Sequence, residues 1–490
     1  MQSKRDQVQA HMFVMGRLTS GMLRADPDAP ESPQGRTNRG IAVSVVITVL
    51  ICAGAFVLGL LKPGTKDSWR AEGTLVVNKD TGGRYLYLDG LLRPVRNHTS
   101  ARLLLGPEMK TVAVGSGSLA GTAHGAPVGI AGAPDDLPPG GSLTTGPWQV
   151  CSTGAGDGTT ATALAVGKDL GGTGLGGSEG LLVTGPDRGQ YLVWQGGKLR
   201  LDVAGGAREA LGYGSRPSLP VSAAFLNSTP SGPDLTAPDV PGRGAPGPSL
   251  GSRATRIGQV FQVSAPGGDP RYYVLREEGL TPVNATVAAL LLGAPPTRQK
   301  AYAGGAVSAV TLAAAEVIGH LAPGAEGSDT REDLPASPPK AVEPGAGRIP
   351  CVGIRSGADG TRVSVSLVDA DGIGRAAQAT TEGLTAACVT VNRIVVPPGG
   401  GALVHALGAD GRDLGSTVYL VTDNGVKYRV PSADALRALG YTAGQAQRLP
   451  SSLLSMVPTG PDLTPSAALS GRAASTAPPC DADGGKTSGR

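Results

Sequence analysis

The sequence predicts an α+β protein in which one N-terminal transmembrane helix is followed by a body of four small β-hairpin/helix repeats related by a pseudo-twofold axis. Three observations carry this. The chain writes one pattern four times: YLYLDGLLRPVRNHTSARLLLG (85–106), YLVWQGGKLRLDVAGGAREALG (191–212), YVLREEGLTPVNATVAALLLG (273–293) and YLVTDNGVKYRVPSADALRALG (419–440). A longer similarity overlies it. LPVSAAFLNSTPSGPDL (219–235) matches LPSSLLSMVPTGPDL (449–463), and GPWQVC before Cys151 matches GRIPC before Cys351. Finally, residues 41–61 hold no charge, and at 1.5 Å per residue such a run spans a bilayer core of about 30 Å.

From the N-terminus, residues 4–24 read as a helix with Ser3 as N-cap. Val8, Met12, Met15 and Met22 recur at helical spacing, and Phe13 and Leu18 broaden the stripe. A segment this short cannot bury such a face in a domain of its own, so it needs a partner helix or the membrane surface; an inert leader is the alternative. Methionine suits adaptable protein contacts, which favours the partner. DPDAPESP (26–33) breaks the helix before the span. Lys4, Arg5, Arg17, Arg24, Arg36 and Arg39 precede the span and Lys62, Lys66 and Arg70 follow it, so the N-terminus is expected inside and the body outside the cytoplasm.

Each repeat alternates β-branched and aromatic residues around Asp-Gly, Gly-Gly, Glu-Gly or Asn-Gly, which is a hairpin signal. A stubby helix follows, closed by Gly106, Gly212, Gly293 or Gly440 in the left-handed conformation that stops a helix. Tyr85, Leu105, Tyr191, Leu211, Tyr273, Tyr419 and Leu439 are expected to be buried. The tyrosines stand about 106, 82 and 146 residues apart, too irregular for a solenoid of fixed period. Two related halves account for that: 71–250 with repeats at 74–106 and 180–212, and 251–465 with repeats at 258–293 and 402–440. With residues 1–40 cytoplasmic and 41–61 in the membrane, 466–490 remains as a flexible tail. Of the 76 glycines and 40 prolines, 25 fall in 231–251, 323–346 and 464–490, stretches that read as linkers and tail, not as packed structure.

Cys52 falls within the span, and Cys151, Cys351, Cys388 and Cys480 all fall beyond it, an even number suited to an oxidising compartment. Cys151 and Cys351 occupy equivalent places in the two halves. Residues related by a twofold axis meet only near that axis, so this pair is a natural clamp between the halves; free buried thiols are the alternative. Cys388 and Cys480 are then paired by elimination.

Catalytic patterns do not assemble. Gly172, Gly174 and Gly177 spell a dinucleotide fingerprint but lead into a strand instead of a helix. Gly176, Ser178 and Gly180 imitate a nucleophile elbow without its strand-to-helix turn. Gly485, Lys486 and Thr487 approach a phosphate loop, yet Cys480 stands where its first glycine belongs and no helix follows. His11, His98, His124, His320 and His405 are scattered, and Asp369, Asp371 and Gly372 lack the later ligands of a calcium loop. No catalytic, cofactor-binding or metal-ligating residue is assigned. A net charge of +4 without a basic block gives no case for nucleic acid. Seventeen aromatics in 490 residues argue against a glycan platform.

SKRDQVQAHMFVMGRLTSGMLRADPD at the N-terminus, the span from residue 41 and GTLVVNKDTGGRYLYLDGLLRPV after it resemble the EccB family, the membrane-anchored core component of actinobacterial type VII (ESX-type) secretion systems. The resemblance runs from residue 3 to about 465. It implies an elongated, extracytoplasmic body with four repeat domains around a central β-rich core. It further implies self-association and assembly with EccC, EccD and EccE into a channel that exports protein substrates, with energy supplied by EccC. Some members carry an ATPase label, so an extracytoplasmic ATPase of the same system is the alternative to a structural scaffold.

Overall fold

The computed structural model describes residues 4–24, 33–61, 67–71, 73–154, 159–264, 267–325, 333–357, 360–374, 383–477 and 480. Two helices lead the chain, Lys4–Arg24 and Pro33–Leu61. The second begins about two turns before the expected start at 41, with Pro33 in the first helical position, where a missing N–H costs nothing. Its stretch Thr37–Val57 is long and apolar enough to cross a membrane, and no other described part of the chain covers it. Ser44 and Thr48 donate to the carbonyls of Gly40 and Ser44, each at 2.8 Å, so these hydroxyls are satisfied inside the helix as a lipid surround requires. Apart from Pro33, the expected break at 26–33 lies outside the described residues.

A 3₁₀ turn, Asp67–Arg70, then feeds Trp69 into the first sheet, fully buried and edge-on to Tyr87 with ring centroids 5.3 Å apart. Four sheets share one strand order. In the first, Leu91–Pro94, Arg84–Leu88 and Thr74–Asn78 form an antiparallel meander, and Lys110–Val114 returns parallel to Thr74–Asn78. The second orders Gly197–Arg200, Gln190–Trp194, Glu179–Thr184 and Leu219–Pro220 alike, and the third Gly279–Val283, Arg271–Arg276, Val260–Val263 and Val310–Thr311. The fourth orders Lys427–Val430, Asp413–Thr422, Gly401–Leu407 and Gln447–Pro450. Turn chemistry sets the hairpins. Asp89 and Gly90 have φ of 52° and 76°, and Gln195 and Gly196 have 45° and 78°, the paired positive values of a type I′ turn.

A helix links the third strand to the fourth in each sheet: His98–Leu105, Ala207–Ala210, Ala285–Gly293 and Ala433–Ala438. Asn97, Asn284 and Ser432 cap three of them, each accepting from the backbone N–H three residues on. Gly106, Gly212 and Gly440 have positive φ as expected, but Gly293 does not. Its reason is room: a Cβ there would lie 2.3 Å from the Cβ of Ala210, where the helices of the second and third sheets cross.

Strands from both sequence halves build a six-stranded central sheet, ordered Arg393–Val395, Thr160–Val166, Trp148–Gly154, Arg348–Gly357, Gly360–Asp369 and Thr173–Gly174. Its core joins Trp148, Val150 and Leu164 to Val352, Ile354 and Leu453. The second and third sheets share another core, in which Leu192 and Leu211 meet Phe261 and Leu290. The first and fourth share a third, in which Leu103 and Ile130 meet Leu436 and Leu439.

Several expectations need correction. Leu211 and Leu439 are buried, but Leu105 and Tyr85, Tyr191, Tyr273 and Tyr419 are only half-buried. The fully buried position is the residue after each tyrosine: Leu86, Leu192, Val274 and Leu420. In the second and fourth sheets both faces are covered, so Leu192 and Leu420 enter the outer cores while Tyr191 and Tyr419 lean on the central one. Residues 231–251 are no loose linker. Leu235, Val240 and Leu250 are buried, and Leu235 N–H donates to the Arg200 carbonyl at 2.7 Å. Leu334 is likewise buried, and Lys340–Ala341 pairs with Glu179–Thr184, although 326–332 lie outside the described residues. The start of the supposed tail forms the helix Pro465–Ser470 with Ala467 and Ala468 buried; 481–490 lie outside the described residues.

Candidate functional surfaces and family membership

Cys151 and Cys351 face each other across the two middle strands of the central sheet, Trp148–Gly154 and Arg348–Gly357, in direct antiparallel register. Both are fully buried, and the pair lies at disulfide distance with Cα atoms 4.0 Å apart. Two further strands flank this pair on each side, so it sits at the middle of the sheet. Cys388 and Cys480 also lie at disulfide distance, Cα atoms 5.3 Å apart, but are exposed. Cys52 lies exposed in the membrane helix.

On the N-terminal helix, Val8, Met12, Phe13, Met15, Leu18 and Met22 are between 53% and 85% exposed. Val8, Met12, Met15 and Met22 run down one side with Leu18 at its edge, whereas Phe13 sits about 100° round from Met12. The described chain covers none of this face.

Two lysines, Lys427 buried and Lys198 half-buried, are absent from the sequence expectations. Lys427 is 2% exposed, and its ammonium donates to the carbonyls of Leu454 and of Val457, the latter at 2.9 Å. Burial with no carboxylate among these partners pulls its pKa down from 10.5 to about 8. Lys198 donates to the Leu226 carbonyl at 2.5 Å, and burial lowers its pKa too. The surrounding backbone bonds match as well. Gly232 and Gly460 N–H donate to the carbonyls of Lys198 and Lys427, both at 2.9 Å. Leu235 and Leu463 N–H donate to those of Arg200 and Arg429, at 2.7 and 2.8 Å. The signal was present in the sequence: a lysine just after the turn in the second and fourth copies, each followed by a GPDL segment.

Among the described residues, chemistry-bearing side chains do not converge. Among the described residues, no three of His, Cys, Asp and Glu are grouped to hold a metal ion. A cleft of about 750 Å³ beside the second and third sheets is lined by Asp202, Asp239, Arg243 and Lys300 among prolines, without a Ser, Cys or His. Arg243 there is engaged by Thr297 Oγ1 at 2.6 Å and the Pro238 carbonyl at 3.0 Å.

As a class, this is a membrane-anchored α+β body carried on an apolar helix. The chain belongs to the EccB family of type VII secretion systems: the family model described as type VII secretion system ESX-1, transport TM domain B, matches residues 1–476. It is a membrane-associated component of such a system. Among its relatives, the ESX-3 secretion system ATPase EccB3 of Mycolicibacterium smegmatis is 28% identical over 95% of this chain and 90% of its own length. The ESX-1 secretion system ATPase EccB1 of Mycobacterium tuberculosis is 29% identical over 94% and 93%. The word ATPase is part of those proteins' names. Of solved structures, an EccB3 dimer from the ESX-3 core complex superposes with a TM-score of 0.62 at 28% identity, covering 81% of this chain and 99% of that one. A chain of the intact ESX-5 inner membrane complex reaches 0.63 at 23% identity, covering 100% and 98%, and shares the fold.

Proposed function

We propose that the chain is a structural scaffold subunit of the secretion machinery, with the N-terminal helix in the cytoplasm and the body on the far side of the membrane. It assembles there with further copies of itself and with EccC-, EccD- and EccE-like subunits to export substrate proteins. The carrying observation is the bare apolar face of Lys4–Arg24, separated from the body by the membrane helix: no described residue covers it, and its methionines suit an adaptable protein partner. The solved dimer of a 28%-identical relative supports self-association. Two cysteine pairs at disulfide distance beyond the span support an oxidising exterior for the body.

In this reading the four sheets are copies of one unit, doubled about a pseudo-twofold axis through Cys151 and Cys351, which form the bond that clamps the halves. The shared strand order and the matched contacts of Lys198 and Lys427 support it. The test of assembly is to replace Met12, Met15 and Leu18 together by Asp in a tagged copy expressed in its native membrane. Loss of the partner subunits from the purified complex, with membrane insertion unchanged, is expected. Partners retained at the wild-type level would refute the assignment.

A further inference from the structure

The C-terminal segment 464–477 runs between two sheets that lie at opposite ends of the sequence. It leaves the fourth sheet at Leu463, whose N–H donates to the Arg429 carbonyl at 2.8 Å. Thr464 caps the helix Pro465–Ser470, and Gly471, at φ 69°, ends it. The helix is laid against the first sheet's helix His98–Leu105, with Ala467 and Ala468 in the core that contains Leu103. The Ala468 carbonyl accepts from Gly129 N–H at 2.7 Å, and Gly129 has a φ of 114°, a conformation that favours glycine.

The chain then folds back. The Ala474 carbonyl accepts from Asp462 N–H, and Thr476 Oγ1 donates to Asp462 Oδ2, both at 2.8 Å. The same carboxylate oxygen takes Arg429 Nη1 at 3.0 Å. Ser475 Oγ meets Thr385 Oγ1 at 3.0 Å, and Thr385 exchanges backbone bonds with Thr459, next to the fourth sheet. Cys480 ends the described chain against Cys388. Residues 472–476 are exposed and contribute no large apolar side chain, so this return is held by polar bonds, those to Asp462 half-buried, each worth about 1 kcal/mol, or up to about 3 kcal/mol to a carboxylate.

We propose that residues 464–477 are a strap fastening the first sheet to the fourth, and that the bond from Cys480, just beyond them, to Cys388 is its redox-sensitive lock. The proposal rests on reading that pair as bonded. The two cysteine pairs differ in the property that governs thiol attack. Cys388 and Cys480 are exposed, whereas Cys151 and Cys351 are shielded in the central sheet. A thiolate must reach a disulfide sulfur to open it. A dithiol reductant therefore attacks the outer bond first. One of its sulfurs forms a mixed disulfide with Cys388 or Cys480 and the other thiol is released. The second reductant sulfur then displaces the bound cysteine, leaving a cyclic disulfide and two protein thiols that carry the reductant's two protons. With the lock open, the return over 472–477 is left to its hydrogen bonds, and the first sheet, the one that follows the membrane helix in the chain, loses a fastening to the fourth.

The test uses the full-length protein in detergent micelles under stepwise dithiothreitol, with thiols alkylated and mapped by mass spectrometry and amide exchange followed in parallel. A reductant level is expected at which Cys388 and Cys480 are alkylated and Cys151 and Cys351 are not. At that level exchange should quicken about tenfold in 462–477 and in 98–105, with the central sheet unchanged. A Cys388→Ser, Cys480→Ser variant should show the same pattern without reductant. Free thiols at 388 and 480 before any reductant would overturn the bond itself. An open bond with unchanged exchange in 98–105 would overturn the strap while leaving the bond intact.

Discussion

Replacing Lys427 by Met tests the cost of hiding a cation among carbonyls. In the folded chain the ammonium titrates at about 8, against 10.5 for an ordinary lysine. Between those values the unfolded chain holds a proton that the folded chain has released, so stability rises with pH through that window and is lowest below it. At 1.36 kcal/mol per pKa unit the full effect is about 3 kcal/mol, of which roughly 2 kcal/mol falls between pH 7.5 and 9.5. Met fills the same space without titrating, but leaves the carbonyls of Leu454 and Val457 without this donor, a cost that does not vary with pH. The difference between wild type and variant therefore isolates the lysine from every other group titrating in the range. Urea unfolding of the oxidised protein at pH 7.5 and 9.5, followed by the fluorescence of buried Trp69 and Trp148, reads it out. Relative to the variant, the wild type should gain about 2 kcal/mol over the interval. A difference constant to within 0.5 kcal/mol or so would show that the ammonium is solvated and the reasoning wrong.

Replacing Cys151 and Cys351 together by Ala opens a loop of 200 residues, a loss of about 5 kcal/mol by chain entropy; an unchanged urea midpoint under oxidising conditions would show that no clamp exists. Gly293→Val places carbon where only 2.3 Å separates a Cβ from Ala210 Cβ, and should destabilise by about 1–3 kcal/mol. Alanine at the same site should show a smaller loss, and equal losses would point to backbone effects instead of crossing helices. Leu436→Ala, at 3% exposure between the first and fourth sheets, should cost about 2–5 kcal/mol. Its amide-exchange change should appear in residues 98–105 as well as in the fourth sheet.

The parts legible in the sequence were those written by local chemistry. Asp89-Gly90 specified its turn because two successive positive φ values admit few other pairs. The uncharged run specified the membrane helix by length alone. The match of GPWQVC to GRIPC pointed to Cys151 and Cys351 as a pair, and the two lie in direct register at disulfide distance. What was missed depends on tertiary partners. Tyrosine burial was placed one residue out because Gln190–Trp194 and Asp413–Thr422 are covered on both faces, and alternation cannot say which face is deeper. Residues 231–251 have a linker's composition, yet three apolar residues among the prolines suffice to seat the segment on a neighbouring core. Gly293 read as a helix stop because the sequence does not reveal that Ala210 passes beside it. The N-terminal stripe reads as apolar and stands uncovered by any described residue.

The pairing of the first sheet with the fourth also sets an order of events in time. The Tyr213 hydroxyl reaches the Pro339 carbonyl across 126 positions, so the second and third sheets can close on one another partway through synthesis. The Tyr441 hydroxyl reaches the Pro138 carbonyl across 303 positions, and Gln447 binds Thr144 across as many. At about 5–20 residues per second, the ribosome needs on the order of 15–60 s to supply the later partner. Through that interval Leu103 and Ile130 have no lasting cover, although the membrane helix ahead of them is already made. The nascent chain is thus held at the bilayer with this apolar face bare until the residues that cover it, between 403 and 468, have been made.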